Sequence, residues 1–129
     1  MNTGIIKLTP ELLALIGTGT STSLQPFSRE IFLLDITVAG TNYCDTIHEV
    51  EAMLVPETVL RMIRDPKNKY DHNAIGIWYD DTRIGWVPRK LNLIISRLMD
   101  AGKAFFCRIE SIESINDWVK IEGKIYMVE

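Results

Sequence analysis

Asp65-Pro66-Lys67-Asn68-Lys69-Tyr70-Asp71-His72-Asn73 crowds carboxylates, an imidazole, two ammonium groups and an aromatic ring into nine residues. Hydrolysis is the first chemistry to weigh. Asp65, Asp71, Asp80 and Asp81 are the only cluster of carboxylates, and a metal-dependent phosphoesterase needs two or three that converge on its ions. Asp80 and Asp81 fall in a turn between two apolar segments, where aspartate is common for backbone reasons. His72 could serve as a general base, but no nucleophile or orienting partner accompanies it, so it reads as a solvent-facing turn residue. No G-x-S-x-G, Walker loop or H-E-x-x-H occurs. Cys44 and His48 have the spacing of two metal ligands, yet a closed zinc site takes four, and His72 and Cys107 stand far away in sequence. The residues therefore predict no catalytic group, no metal and no cofactor.

They fit binding better. Single-stranded nucleic acid is held in basic grooves whose aromatic side chains stack on the bases. Tyr70 lies between Lys67, Lys69 and polar neighbours, and Tyr43 in another polar break, so both read as surface platforms; Trp78 and Trp86, on a hairpin, read as core. Pro88 opens a helix at which Arg89 and Lys90 would stand, where free N–H groups and the helix dipole favour anions. The chain carries a net charge of −3, but residues 61–108 hold ten basic and five acidic side chains and are +5, leaving −8 for the rest. A phosphate backbone responds to that local field.

These side chains need a scaffold. The 129 residues, 47% hydrophobic and 24% charged, suit one soluble domain with a core, and no apolar run reaches membrane-spanning length. Without a signal-peptide pattern, a cytoplasmic location is expected. Two cysteines make no disulfide framework; Cys107 alternates with Phe105 and Ile109 and reads as buried. Residues 1–29 form an arm: Thr9-Pro10-Glu11 starts a short helix through Ile16, Gly17 stops it, and a Gly/Thr/Ser-rich tether follows. Residues 30–129 form the domain. Alternation predicts strands over 31–39, 47–54, 59–64, 104–110 and 118–128. A hairpin spans 74–79 and 83–87 about an Asp80-Asp81-Thr82 turn, with Gly76 and Gly85 marking bulges or close backbone approaches. A helix over 88–101 carries Leu91, Ile94, Ile95, Leu98 and Met99 as its inward stripe, with Asn92, Ser96, Arg97 and Asp100 facing away and Gly102 just past its end. The fold class is mainly β: a small antiparallel barrel with one packed helix and a short N-terminal helix.

One long motif has a likeness. Arg64-Asp65-Pro66-Lys67-Asn68-Lys69-Tyr70-Asp71-His72-Asn73-Ala74-Ile75, followed by Ile84-Gly85-Trp86-Val87-Pro88-Arg89-Lys90-Leu91, resembles a HIRAN domain over roughly residues 31–128. Such modules stand at the N-terminus of helicase-like DNA-repair translocases and also occur alone in bacteria. The resemblance implies a six-stranded SH3-like or OB-like barrel and capture of single-stranded DNA, at its 3′ end. It puts base stacking on Tyr43 and Tyr70, a terminal sugar hydroxyl or base edge on Asp71, and a phosphate on Arg89, with Lys90 beside it. It gives Asn73 the task of holding the turn. Where the 3′-end binder has an arginine before the first tyrosine, this chain has Asn42, which removes a charge. The expected partners are single-stranded DNA or DNA ends and a DNA-processing protein, with no membrane. The alternatives are a protein-interaction module using the same groove and the metal-dependent phosphoesterase.

Overall fold

The computed structural model describes residues 29–129. The helix and tether expected in the N-terminal arm lie outside the described residues. Six strands make one antiparallel sheet: β1 (Glu30–Thr37), β2 (Val59–Arg64), β3 (Ile75–Tyr79), β4 (Thr82–Trp86), β5 (Ala104–Ile115) and β6 (Trp118–Val128), in the spatial order β1-β6-β5-β2-β3-β4. The alternating apolar side chains turn to one side of this sheet and supply its core, with Leu60, Ile77, Ile84, Ile109, Ile121 and Ile125 fully buried. Cys107 shares that core, as its alternation predicts. β5 runs five residues past the predicted end at residue 110, into a hairpin with β6, and its register shifts between Ile109 and Ser111. A bulge of this kind increases the local twist and bends the strand.

The sheet curls until its two edges nearly meet. Just beyond β1, Ala39 exchanges two backbone hydrogen bonds of 2.8 Å with Trp86 at the end of β4, and the Val38 N–H donates to the Ile121 carbonyl at 2.9 Å. One bridge, rather than a continuous ladder, joins the edges, so the barrel is rolled but not closed. Gly85 is at this seam. A Cβ there would stand 2.4 Å from Val38 Cγ1 and 2.7 Å from the Ala39 carbonyl oxygen, so no larger residue fits without moving a backbone. Next along the chain, the buried Thr41 hydroxyl donates to the Val119 carbonyl at 2.8 Å and fastens the first loop to β6.

Three predicted elements differ. Residues 47–54 are not a strand: α1 (Ile47–Val50) runs into a 3-10 turn (Glu51–Met53) that leads to Leu54. Ile47 and Leu54 are buried and Val50 packs against the core, a spacing of three and then four residues that one helical face provides and alternation does not. Without this segment, the seven strands read from alternation and the hairpin reduce to the six observed, the number expected of the barrel. The hairpin turn is also tighter than predicted. Tyr79 pairs with Thr82 and Trp78 with Arg83, which leaves Asp80-Asp81 as a two-residue loop, and a register shift between Ile77 and Trp78 follows Gly76.

The helix predicted over 88–101 is a 3-10 turn (Arg89–Leu91) followed by α2 (Asn92–Asp100), which ends with the Gly102 and Lys103 N–H groups turned back onto the Met99 and Leu98 carbonyls. Its buried face is rotated from the expected one. Asn92, Ile95 and Ser96 point inward with Met99 and Leu98 partly buried behind them, while Leu91, Leu93 and Ile94 are exposed. Two polar side chains can be buried because each is satisfied: Ser96 donates to the Leu93 carbonyl at 2.8 Å, and Asn92 to Asp71 at 2.8 Å.

Candidate nucleic-acid interface

The loop between β2 and β3 is a closed, hydrogen-bonded ring. Its base is pinned by the Asp65 N–H donating to the Ala74 carbonyl at 2.9 Å. Arg64 reinforces that base, donating to the Ala74 and His72 carbonyls at 2.7 and 3.1 Å and to Asp100 at the end of α2. Inside the ring Asn68 does the holding. Its Oδ1 accepts the N–H groups of Tyr70 (2.9 Å) and Asp71 (3.1 Å), and its Nδ2 donates to Asp65 at 3.2 Å. Asparagine suits this because it offers an acceptor and a donor within reach of its own turn. The turn-holding role expected of Asn73 thus falls to Asn68, and Asn73 contributes only its backbone N–H, which donates to Asp71 at 2.9 Å.

With Asn68 directing the backbone, the Tyr70 ring projects outward, 75% exposed. Tyr43, on the short 3-10 turn Thr41–Tyr43, is 87% exposed. Both rings border one cleft of about 800 Å³, whose walls also carry Asp71, Arg83, Trp86 and Arg89. Four of the six predicted site residues, Tyr43, Tyr70, Asp71 and Arg89, therefore line a common space. Two do not. Asn42 opens onto a different hollow of about 610 Å³, shared with Asp45, His48, Asp117 and Trp118. Lys90 is exposed beside Arg89 without lining the cleft. Because Arg89 and Lys90 belong to the 3-10 turn, they precede the first turn of α2 instead of forming it.

Asp71 is the most constrained acid of the cleft. Burial alone would push its carboxyl up. The Asn92 amide on Oδ2, the Asn73 N–H on Oδ1 and the charges of Arg89 and Arg64 outweigh that and hold it below the usual carboxylate range. It is therefore charged at neutral pH and accepts hydrogen bonds only. A ligand group meeting it must bring a donor, as a hydroxyl or a base amino group does.

Sequence reasoning missed three residues of this arrangement. Asn68 lay within the recognised motif without a role. Asn92 was assigned to solvent because it is polar. Arg83 counts in the sequence only as one of the ten basic residues of 61–108 and as the start of a hairpin strand, although a two-residue hairpin loop places it opposite Trp78. Trp86, read as core, is half-buried and walls the cleft. Among the described residues, no three of His, Cys, Asp and Glu stand together so as to hold a metal ion, and no helix is long and apolar enough to cross a membrane.

The family model of the HIRAN domain matches residues 31–128. The chain is a HIRAN-family protein. HIRAN domains are generally DNA-binding modules rather than catalytic ones. Two solved structures are similar to it. The crystal structure of a protein from Lactobacillus plantarum, a structural genomics target, superposes with a TM-score of 0.72 at 24% identity, covering 79% of this chain and 98% of the other. The crystal structure of the HIRAN domain of human HLTF superposes with a TM-score of 0.58 at 18% identity, covering 77% and 78%. At these identities the likeness is one of fold, and it agrees with the six-stranded antiparallel sheet and two helices of this HIRAN domain. No curated protein matches the chain.

Proposed function

We propose that this HIRAN domain holds single-stranded DNA, by preference a 3′ end, in the cleft between Tyr43 and Tyr70. The observation that carries the reading is the exposure of those two rings on one cleft that also holds a charged, acceptor-only carboxylate and an arginine. Aromatic rings are ordinarily packed, and two left open to solvent on one cleft are suited to stacking on bases. Asp71 takes the terminal hydroxyl or a base amino group, and Arg89 the adjoining phosphate. Lys90 serves an outer phosphate. Asn42 is neutral and faces the neighbouring hollow, so it is left out of the ligand contacts. In this reading the protein acts in the cytoplasm in DNA repair or processing, beside a DNA-processing partner, and is not an enzyme.

The test is a fluorescence-anisotropy titration with labelled oligothymidylates carrying a free or a phosphorylated 3′ hydroxyl. Tyr70→Ala should weaken binding by roughly 5- to 150-fold, the equivalent of 1–3 kcal/mol per stacked base. Arg89→Ala should lower the slope of log affinity against log salt by about 0.7, one phosphate contact on a single strand. Blocking the 3′ hydroxyl should weaken binding to the wild type. Binding that ignores both substitutions removes the site; binding that ignores only the blocked end removes the end preference.

A protein-interaction role has one specific observation in its favour. Leu91, Leu93 and Ile94 leave an apolar face across the 3-10 turn and the start of α2, just beyond Arg89. Association with protein that is insensitive to salt and to Arg89→Ala, and lost on Ile94→Glu, would favour it.

A further inference from the structure

We propose that Arg83 is a second phosphate-binding residue of this cleft, gripping the sugar-phosphate backbone of a bound strand beside Tyr43. The inference rests on the nucleic-acid reading above and adds a residue to it.

Arg83 sits where three hollows meet. Besides the main cleft it lines a space of about 340 Å³ shared with Tyr43 and Trp78, and another of about 210 Å³ shared with Arg64, Asp65 and Trp86. Its guanidinium carbon lies 4.4 Å from the centre of the Trp86 ring and 6.0 Å from that of Trp78. Stacking fixes a guanidinium in place while using none of its N–H donors, so its edge stays available to an oxyanion.

Nothing in the described chain takes those donors. Arg83 forms no ion pair among the described residues, and its Nε is the one buried side-chain nitrogen or oxygen there with no hydrogen-bond partner. The contrast with Arg64, on the wall of the same small hollow, is direct. Arg64 is engaged by Asp100 and by two carbonyls, which makes it a structural brace. Arg108 is likewise engaged, by Glu30 and Glu57. Arg83 is a partly desolvated cation held by aromatic faces alone. Desolvating a guanidinium without a partner is unfavourable, and an arriving phosphate at its outer edge offsets that.

The platform beneath it is itself fixed. Trp86 is held by its backbone bridge to Ala39, and Gly40, at φ +72°, lies against the ring so closely that a Cβ would come within 2.9 Å of Trp86 Cδ1. Tyr43 follows three residues later, so one rigid corner presents both the stacking ring and the stacked cation. The carboxylates of the cleft, Asp65 and Asp71, both come from the β2–β3 loop and are bonded within the domain, to Asn68 and to Asn92 with Asn73. Asp45 and Asp81 share the hollow of about 340 Å³ with Arg83, but none of these four acids forms an ion pair with it among the described residues.

The experiment is anisotropy with a short oligothymidylate, unmodified or carrying neutral methylphosphonates at its two 3′-terminal linkages, against wild type, Arg83→Gln and Arg83→Lys. Arg83→Gln should bind the unmodified strand about tenfold more weakly and lower the salt slope by roughly 0.7. The methylphosphonate strand should lose affinity for the wild type, and that loss should shrink in Arg83→Gln. Arg83→Lys should keep the slope. Should Arg83→Gln fail to fold, Arg83→Lys carries the test through affinity: a point charge without the stacked fork should bind severalfold more weakly, and unchanged affinity overturns the proposal. Wild-type affinity, slope and methylphosphonate sensitivity in a folded Arg83→Gln also overturn it while leaving the cleft assignment standing. Failure of the wild type to bind any strand instead overturns the reading on which it rests.

Discussion

Asn92→Ala tests the joint between α2 and the binding loop. Asn92 is 2% exposed and its amide donates to Asp71 Oδ2 at 2.8 Å. Hydrogen bonds to charged groups contribute about 1.5–3 kcal/mol. Asp71 is only half-buried, so water can re-enter on its open side, and the low end of that range applies; the small cavity left by the truncated amide adds to it. A total near 2 kcal/mol lowers the melting temperature of a domain this size by roughly 10 °C. The pH dependence gives the claim its sharper edge. Asp71 is held below its usual value of 3.8, so its contribution is fully present above that value and is lost as pH falls through the folded-state value. The stability gap between wild type and Asn92→Ala should therefore stay constant from pH 7 to about pH 4 and narrow below it. Denaturant melts across pH 2.5–7, with carboxyl titration of Asp71 by NMR, measure both. A gap under about 0.5 kcal/mol, or one that does not narrow in acid, would refute the idea that the Asn92–Asp71 bond organises the site.

Asn68→Ala should leave the sheet folded but release Tyr70, weakening oligonucleotide binding by the folded variant at least tenfold with a modest stability loss of about 1–2 kcal/mol; unchanged binding by the folded variant would make Asn68 merely structural. Gly85→Ala should cost about 3 kcal/mol or prevent folding, because its Cβ meets Val38 and the Ala39 carbonyl at the seam; denaturant melts check it. Thr41→Val should cost about 1–3 kcal/mol by orphaning the Val119 carbonyl, again read by melts. Cys107, whose thiol burial pushes up to about 12, should resist a thiol reagent at pH 8 in the native protein and react once it unfolds.

The strands were legible wherever one side chain in two is apolar and buried, as in Leu60 with Met62 or Val119 with Ile121, because period two leaves no competing geometry over several residues. The segment 47–54 was not. Ile47, Val50 and Leu54 satisfy a helical face while Val50, Ala52 and Leu54 satisfy an alternating one, and only the position of β4 and the first loop decides between them. The face of α2 was misread for a different reason. Amphipathicity counts apolar residues, and it cannot foresee that Asn92 is drawn inward by a carboxylate twenty-one residues earlier in the chain.

That misreading bears on the binding cleft. Tyr43 and Tyr70 could be picked out because their sequence neighbours are polar, so their exposure is a local property. Asn92 and Arg83 could not be ranked this way, because their roles depend on partners brought close by the fold: a carboxylate and a tryptophan ring. The division follows from the physics of the site. A stacking platform needs only to be left unpacked, whereas a charged group can be left partly buried only when something else in the structure, or a ligand, meets it. Asp71 has its partners within the domain. Arg83 has stacking rings without an acceptor, and that asymmetry makes it the more informative residue to substitute.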